Sequence, residues 1–159
     1  MYHAELKGKL SHKTEGMEDI LTSNVFSFFM YSDRETFLHP FIANILGLKD
    51  VSKEDAKKAE FFFWPTYADI NYVNSPCQPD VVIIIGDYYL LFEAKYIGST
   101  LSKEQLLLEK YWGENKADEI SKSFLLVVIT MDYSEPKGDY NKNYSKWRTL
   151  IIPLYLCEA

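Results

Sequence analysis

The sequence predicts an α/β fold in which helices pack against a mixed sheet. Three observations lead there. The hydrophobic period changes from helical spacing in the first third to short runs of continuous apolar and aromatic residues between Glu60 and Tyr96. Two of those runs are joined by Gly86-Asp87, and Gly-X is the preferred pair for a two-residue type II′ hairpin turn. A helix-compatible stretch after Ser102 is then followed by Ser123–Met131, an apolar strand too continuous for a surface element.

Residues 1–13 read as a flexible arm. Thr14 can cap a helix running to about Tyr31, with Glu15, Glu18 and Asp19 in its first turns, where the helix dipole favours acids. Its apolar positions at helical spacing are Met17, Ile20, Leu21, Val25, Phe28 and Phe29. Ser32-Asp33-Arg34-Glu35 reads as a capping box for a second helix, in which Pro40 marks either a kink or a restart and Gly47 the end. Ser52-Lys53-Glu54-Asp55 opens a short charged helix. The strands follow: Glu60 to Tyr67, with Pro65 suggesting an edge or bend, then Pro79–Ile85 and Tyr88–Tyr96. Ser102 can cap a helix of about fifteen residues carrying Leu106, Leu107, Tyr111 and Trp112. After Ser123–Met131 a polar stretch, Asp132 to Lys146, leads to a final strand at Thr149–Leu156. The chain stops three residues later, compatible with a domain that ends there and with one continued by further chain.

At 159 residues, 47 % of them hydrophobic and 25 % charged, the chain is expected to form one domain, 1–159, with a core that needs neither disulfides nor structural metal. Twelve Tyr, ten Phe and three Trp make that core rich in rings. Seventeen basic residues, only two of them Arg, face 23 acids for a net charge of −6, which excludes a generally basic nucleic-acid coat protein. The longest fully apolar run, Phe124–Ile129, is far short of the roughly 20 residues that span a bilayer. No apolar leader follows Met1, and Cys77 and Cys157 cannot make a disulfide framework, so a cytoplasmic, reducing compartment is expected. His3, His12 and His39 are scattered, and no Cys or His lies at zinc spacing.

The hairpin carries the chemistry, because its register can be worked out. With Gly86-Asp87 as the loop, Ile85 pairs with Tyr88, and counting outward sets Asp80 opposite Glu93 and Gln78 opposite Lys95. Side chains two apart share a face, so Asp80, Glu93 and Lys95 project together beside the apolar Val82, Ile84 and Leu91. Opposed residues have Cβ atoms about 5 Å apart, where two carboxylates repel by roughly 3 kcal/mol at an effective dielectric of about 20. Acids at strand ends are commonly solvated, and a surface pair of either acid with Lys95 would be worth less than about 1 kcal/mol. Here Leu90, Leu91, Phe92 and Tyr96 flank the trio and oppose easy solvation. Lys95 offsets part of the repulsion, and a hard divalent cation would offset more.

Pro79-Asp80, twelve residues, and then Glu93-Ala94-Lys95 resembles the signature of the PD-(D/E)XK nuclease superfamily, the restriction-endonuclease-like fold. That family's core runs helix, three strands, helix, strand, as residues 14–131 are expected to do. The resemblance implies that Asp80 and Glu93 ligate Mg²⁺ or Mn²⁺, with the Ala94 backbone carbonyl as a further ligand. Lys95 would orient or help deprotonate the attacking water and stabilise charge developing on the phosphate. The family's first core helix often bears another acid facing the site; Glu18 is the best match and Glu15 a weaker one. Some relatives carry a glutamine and a tyrosine four residues apart on the following helix. Gln105 matches the glutamine, but position 109 is Glu and the tyrosine comes at 111.

The implied activity is metal-dependent hydrolysis of DNA phosphodiester bonds, with no membrane partner and compatible with a homodimer. The alternative is a nuclease-fold module without catalysis that binds nucleic acid or protein. The two arginines favour the alternative, and the intact Asp80, Glu93, Lys95 trio opposes it. Lys137, Lys142, Lys146 and Arg148, interleaved with Tyr140, Tyr144 and Trp147, could track a nucleic-acid backbone, although such stretches are more often solvated loops. Lys53, Lys57 and Lys58 are partly cancelled by Glu54, Asp55 and Glu60 and read as plain surface.

Overall fold

A computed structural model of the chain describes residues 14–68, 76–95, 102–130 and 148–153. The arm 1–13, Cys157 and the basic, aromatic stretch from Lys137 to Trp147 lie outside the described residues, as do the side chains of Glu15 and Arg148. The expected order of elements is present. Helix α1 (Thr14–Tyr31) is followed by a short helical turn, α2 (Leu38–Pro40), which runs into a π-helical segment (Phe41–Ile45), and then by α3 (Lys53–Lys58). Strands β1 (Glu60–Phe63), β2 (Val81–Ile85) and β3 (Tyr88–Lys95) precede α4 (Lys103–Glu119), and β4 (Ser123–Thr130) and β5 (Arg148–Pro153) close the sequence of elements.

The five strands form one mixed sheet in the order β1-β2-β3-β4-β5. The first three are antiparallel neighbours, whereas β4 runs parallel to β3 and β5 parallel to β4. The step from β3 to β4 therefore needs a crossover, and α4 supplies it. The hairpin register is the expected one: Ile85 pairs with Tyr88 and Val81 with Phe92, with Gly86 at φ 52 on the first loop position.

Alternate residues of the strands feed two cores. One face, carrying Val81, Ile83, Leu90, Phe92, Leu125 and Val127, packs under α1, the π-helical segment and α3. The other, carrying Val82, Leu91, Leu126 and Val128, packs under α4 through Leu106, Trp112 and Ala117. Helix α4 comes close because residue 113 is glycine: a Cβ there would stand 2.2 Å from the Phe124 ring. Arg34 ties the end of α1 to the start of the sheet, donating to the carbonyls of Met30, Lys57 and Ala59 at 2.7–3.0 Å.

Several local expectations are corrected. In α1 the stripe Leu21, Val25 and Phe28 is exposed, and Thr22, Ser23 and Phe26 turn to the core instead. Small polar residues at 22 and 23 let the helix approach, and Phe26 reaches the Phe92 ring at 4.9 Å. The capping box expected at Ser32 does not form: Asp33 accepts from the Glu35 N–H at 3.2 Å and the Thr36 hydroxyl at 2.6 Å within a turn, and α2 starts only at Leu38, without a side-chain cap. Pro40 neither kinks nor restarts a regular helix. The turns widen beyond it, with the Leu46 N–H reaching back five residues to the Phe41 carbonyl at 3.1 Å. The first strand ends at Phe63 rather than Tyr67, because Trp64 takes a left-handed conformation (φ 46) that breaks extension. Tyr67 makes only an isolated bridge with Cys77. Helix α4 is 17 residues long, and it buries Leu106 and Trp112 while Leu107 and Tyr111 stay exposed.

Candidate metal centre

The hairpin delivers its charged residues where the pairing stops. Val81 and Phe92 are the last paired residues, so Asp80 and Glu93 stand one step beyond, with Lys95 two further along the same face. The Asp80 backbone is held from the other side, its carbonyl accepting from the Trp64 N–H at 2.9 Å. Its carboxylate accepts from the Ala94 N–H at 2.8 Å. By register Pro79 faces Ala94, and a proline has no N–H to return to the Ala94 carbonyl.

Helix α1 brings Glu18 to the same place from the opposite face of the sheet. One carboxylate oxygen each from Glu18, Asp80 and Glu93 lies within 4.8 Å of the others. Lys95 sits between two of these acids, its Nζ 2.6 Å from Glu93 Oε1 and 3.2 Å from Glu18 Oε1. From the first turn of α4, capped by Ser102, Gln105 donates through Nε2 to Glu93 Oε1 at 2.5 Å. The five side chains singled out in the sequence, Glu18, Asp80, Glu93, Lys95 and Gln105, are therefore gathered in one cluster. Sequence reasoning passed over Glu109, one helical turn beyond Gln105, which accepts from the same Nε2 at 2.7 Å. Its signal was the four-residue spacing that sets two helical side chains on one face.

Burial dominates the electrostatics. Asp80 and Glu93 are 8 % and 2 % exposed, and among the described residues four carboxyl groups face a single ammonium. Burial first, and then repulsion from Glu93, pushes Asp80 up to about 8, although the Ala94 N–H and Lys95 act against the shift. Glu93 is pushed up to about 8 by burial and then by Glu109. Glu109 rises to about 7 through burial, opposed by hydrogen bonds from Gln105 and with Glu93. Burial works to lower the Lys95 amine, but the Glu93 and Glu18 carboxylates outweigh it and hold the amine above its ordinary value. Lys95 is thus a cation at neutral pH, which suits it to donate hydrogen bonds rather than to remove a proton.

The donor set fits a hard divalent cation. Its ligand atoms are all oxygens, and its charge is under-compensated by one lysine. Carboxylate oxygens are the ligands that Mg²⁺ and Mn²⁺ take, and Glu18, Asp80 and Glu93 would hold such an ion. The histidine and cysteine here have other work: His39 Nε2 meets the Val51 carbonyl at 3.1 Å, and Cys77 is buried beneath α4. Among the described residues no helix is long and apolar enough to cross a membrane. No family model and no curated protein matches the chain.

Proposed function

We propose that this chain is a Mg²⁺- or Mn²⁺-dependent nuclease with a restriction-endonuclease-like core, hydrolysing phosphodiester bonds of DNA. The observation that carries the reading is the convergence of Asp80, Glu93 and Glu18 around Lys95 at the open end of the β2–β3 hairpin. Glu18, Asp80, Glu93 and the Ala94 carbonyl would hold the cation. Bound there, the ion supplies Lewis acidity and neutralises phosphate charge. The chain's own residues do the rest. Lys95 donates to the attacking water or to a phosphoryl oxygen and stabilises the negative charge that grows as water adds to phosphorus and one P–O bond breaks. Gln105 restrains Glu93.

The test is cleavage of plasmid and single-stranded DNA with Mg²⁺ or Mn²⁺. Wild type should cut, whereas Lys95→Ala and Asp80→Asn should lose activity by at least about 100-fold. Absence of cleavage by wild type with either ion would turn the reading to the non-catalytic binding module. That second reading is favoured by one observation, the presence of only two arginines in a chain of net charge −6.

A further inference from the structure

Glu109 is 2 % exposed, yet its Oε2 has no hydrogen-bond partner among the described residues. Burying an acid with an unused oxygen costs stability. It lies outside the three acids whose oxygens can share one ion. It touches the Glu93 carboxyl directly and also Gln105, whose Nε2 donates to Glu93 Oε1 and Glu109 Oε1 together. A glutamine amide can turn over, exchanging its two N–H donors for an acceptor oxygen. The amide nitrogen carries two N–H groups and can donate to both acids at once, which the oxygen cannot, so Glu109 and Glu93 jointly favour the nitrogen-inward orientation. Without Glu109 the amide has one anchor and is free to rotate away along with its restraint on Glu93.

We propose that Glu109 is a positioning residue of the metal centre: it locks the Gln105 amide, and the locked amide holds Glu93 in the orientation that takes a divalent cation. Glu109 reaches Glu93 both through Gln105 and directly, and Glu93 in turn meets Lys95. The inference rests on Glu93 as a metal ligand, and it adds a residue on a different element that controls it.

The experiment is Mn²⁺ titration by calorimetry of the full chain and its variants, with circular dichroism as the check on folding. Glu109→Leu should raise the Kd for Mn²⁺ about 10- to 100-fold, the usual loss when a partner behind a ligand is removed. Glu109→Gln is equally uncharged but keeps an oxygen that accepts from Gln105, so it should recover most of that loss. Gln105→Leu should weaken binding by a similar factor, and the double variant Gln105→Leu/Glu109→Leu by clearly less than the product of the two, because both act on Glu93 through the shared amide. Should Glu109→Leu not fold, Gln105→Leu alone and combined with Glu109→Gln carries the same test, the pair losing little more than Gln105→Leu alone. Unchanged Mn²⁺ affinity in Glu109→Leu or Gln105→Leu would overturn the proposal while leaving the metal centre standing. So would losses that multiply in the double variant, or a Glu109→Gln as weak as Glu109→Leu. Wild type that fails to bind Mn²⁺ would overturn the metal centre itself, and the positioning role with it.

Discussion

Phe92 and Glu93 are neighbours on β3 and both are almost wholly buried, yet they enter opposite environments. Phe92 faces the rings of Phe26 and Phe41 at 4.9 and 6.3 Å, under α1 and the π-helical segment. Glu93 faces Lys95, Gln105 and the carboxyl of Glu109. Burial on the first face removes apolar surface from water and stabilises the fold. At the end of the second it raises three carboxyls, those of Asp80, Glu93 and Glu109, above their ordinary range, which means that the folded state resists ionising them. One face contributes stability. The other holds an electrostatic cost that a cation can relieve.

Phe92→Ala tests the first half of the contrast and should have the largest effect on stability. It leaves a cavity between α1 and the sheet, and denaturant unfolding should show a loss of about 3–5 kcal/mol. A loss below about 1 kcal/mol would mean that α1 does not depend on this contact.

The second half predicts a dependence on pH. Asp80 and Glu93 sit near 8 in the fold against 3.8 and 4.5 ordinarily, so between those values the native state binds more protons than the unfolded chain. The stability this contributes is full below the ordinary values and is lost as pH rises through about 8. The metal-free protein should thus weaken from about pH 5 to 8 by about 1.4 kcal/mol per pH unit for each proton held. Glu109, raised from 4.5 to about 7, adds to the same slope, whereas the exposed Asp33 and Asp55 are shifted downward, so their contributions change at lower pH. A metal-free protein whose unfolding free energy rises from pH 5 to 8 would contradict the buried-acid picture.

A smaller effect concerns how α4 presents Gln105 and Glu109. In an exposed helix interior, Gly→Ala stabilises by about 1 kcal/mol. At Gly113 the added Cβ would meet the buried Phe124 ring at 2.2 and 2.5 Å. Gly113→Ala should therefore destabilise by about 1–3 kcal/mol in thermal or denaturant unfolding. A gain in stability would show that α4 can stand farther from the sheet than described.

Much of this contrast was legible in the sequence where local rules decide the outcome. Gly86-Asp87 set the hairpin register, and the period of two then sent Asp80, Glu93 and Lys95 to one side. The face of α1 was misread because Thr22 and Ser23 carry no apolar signal, while Leu21, Val25 and Phe28 advertise a stripe that stays exposed. The end of β1 was missed for a related reason: Trp64 favours strands by composition, but its backbone turns left-handed as its N–H meets Asp80. Glu109 entered the sequence reading only as a departure from an expected tyrosine, because its burial depends on how closely α4 lies on the sheet, a matter of packing across the crossover. The functional readings of DNA cleavage and of the restriction-endonuclease-like core rest on the resemblance and on the site's chemistry together.

The central claim is that the buried acids form a divalent-cation site, and thermal unfolding at about pH 8 with and without millimolar Mn²⁺ tests it most directly. Wild type should gain several degrees in Tm on adding Mn²⁺, as any ligand bound only by the folded state requires. Asp80→Asn, which loses the ligand charge and relieves a carboxylate repulsion of roughly 3 kcal/mol, should start from a higher metal-free Tm and gain little. A wild-type Tm indifferent to Mn²⁺, or an Asp80→Asn that responds as strongly as wild type, would contradict the account.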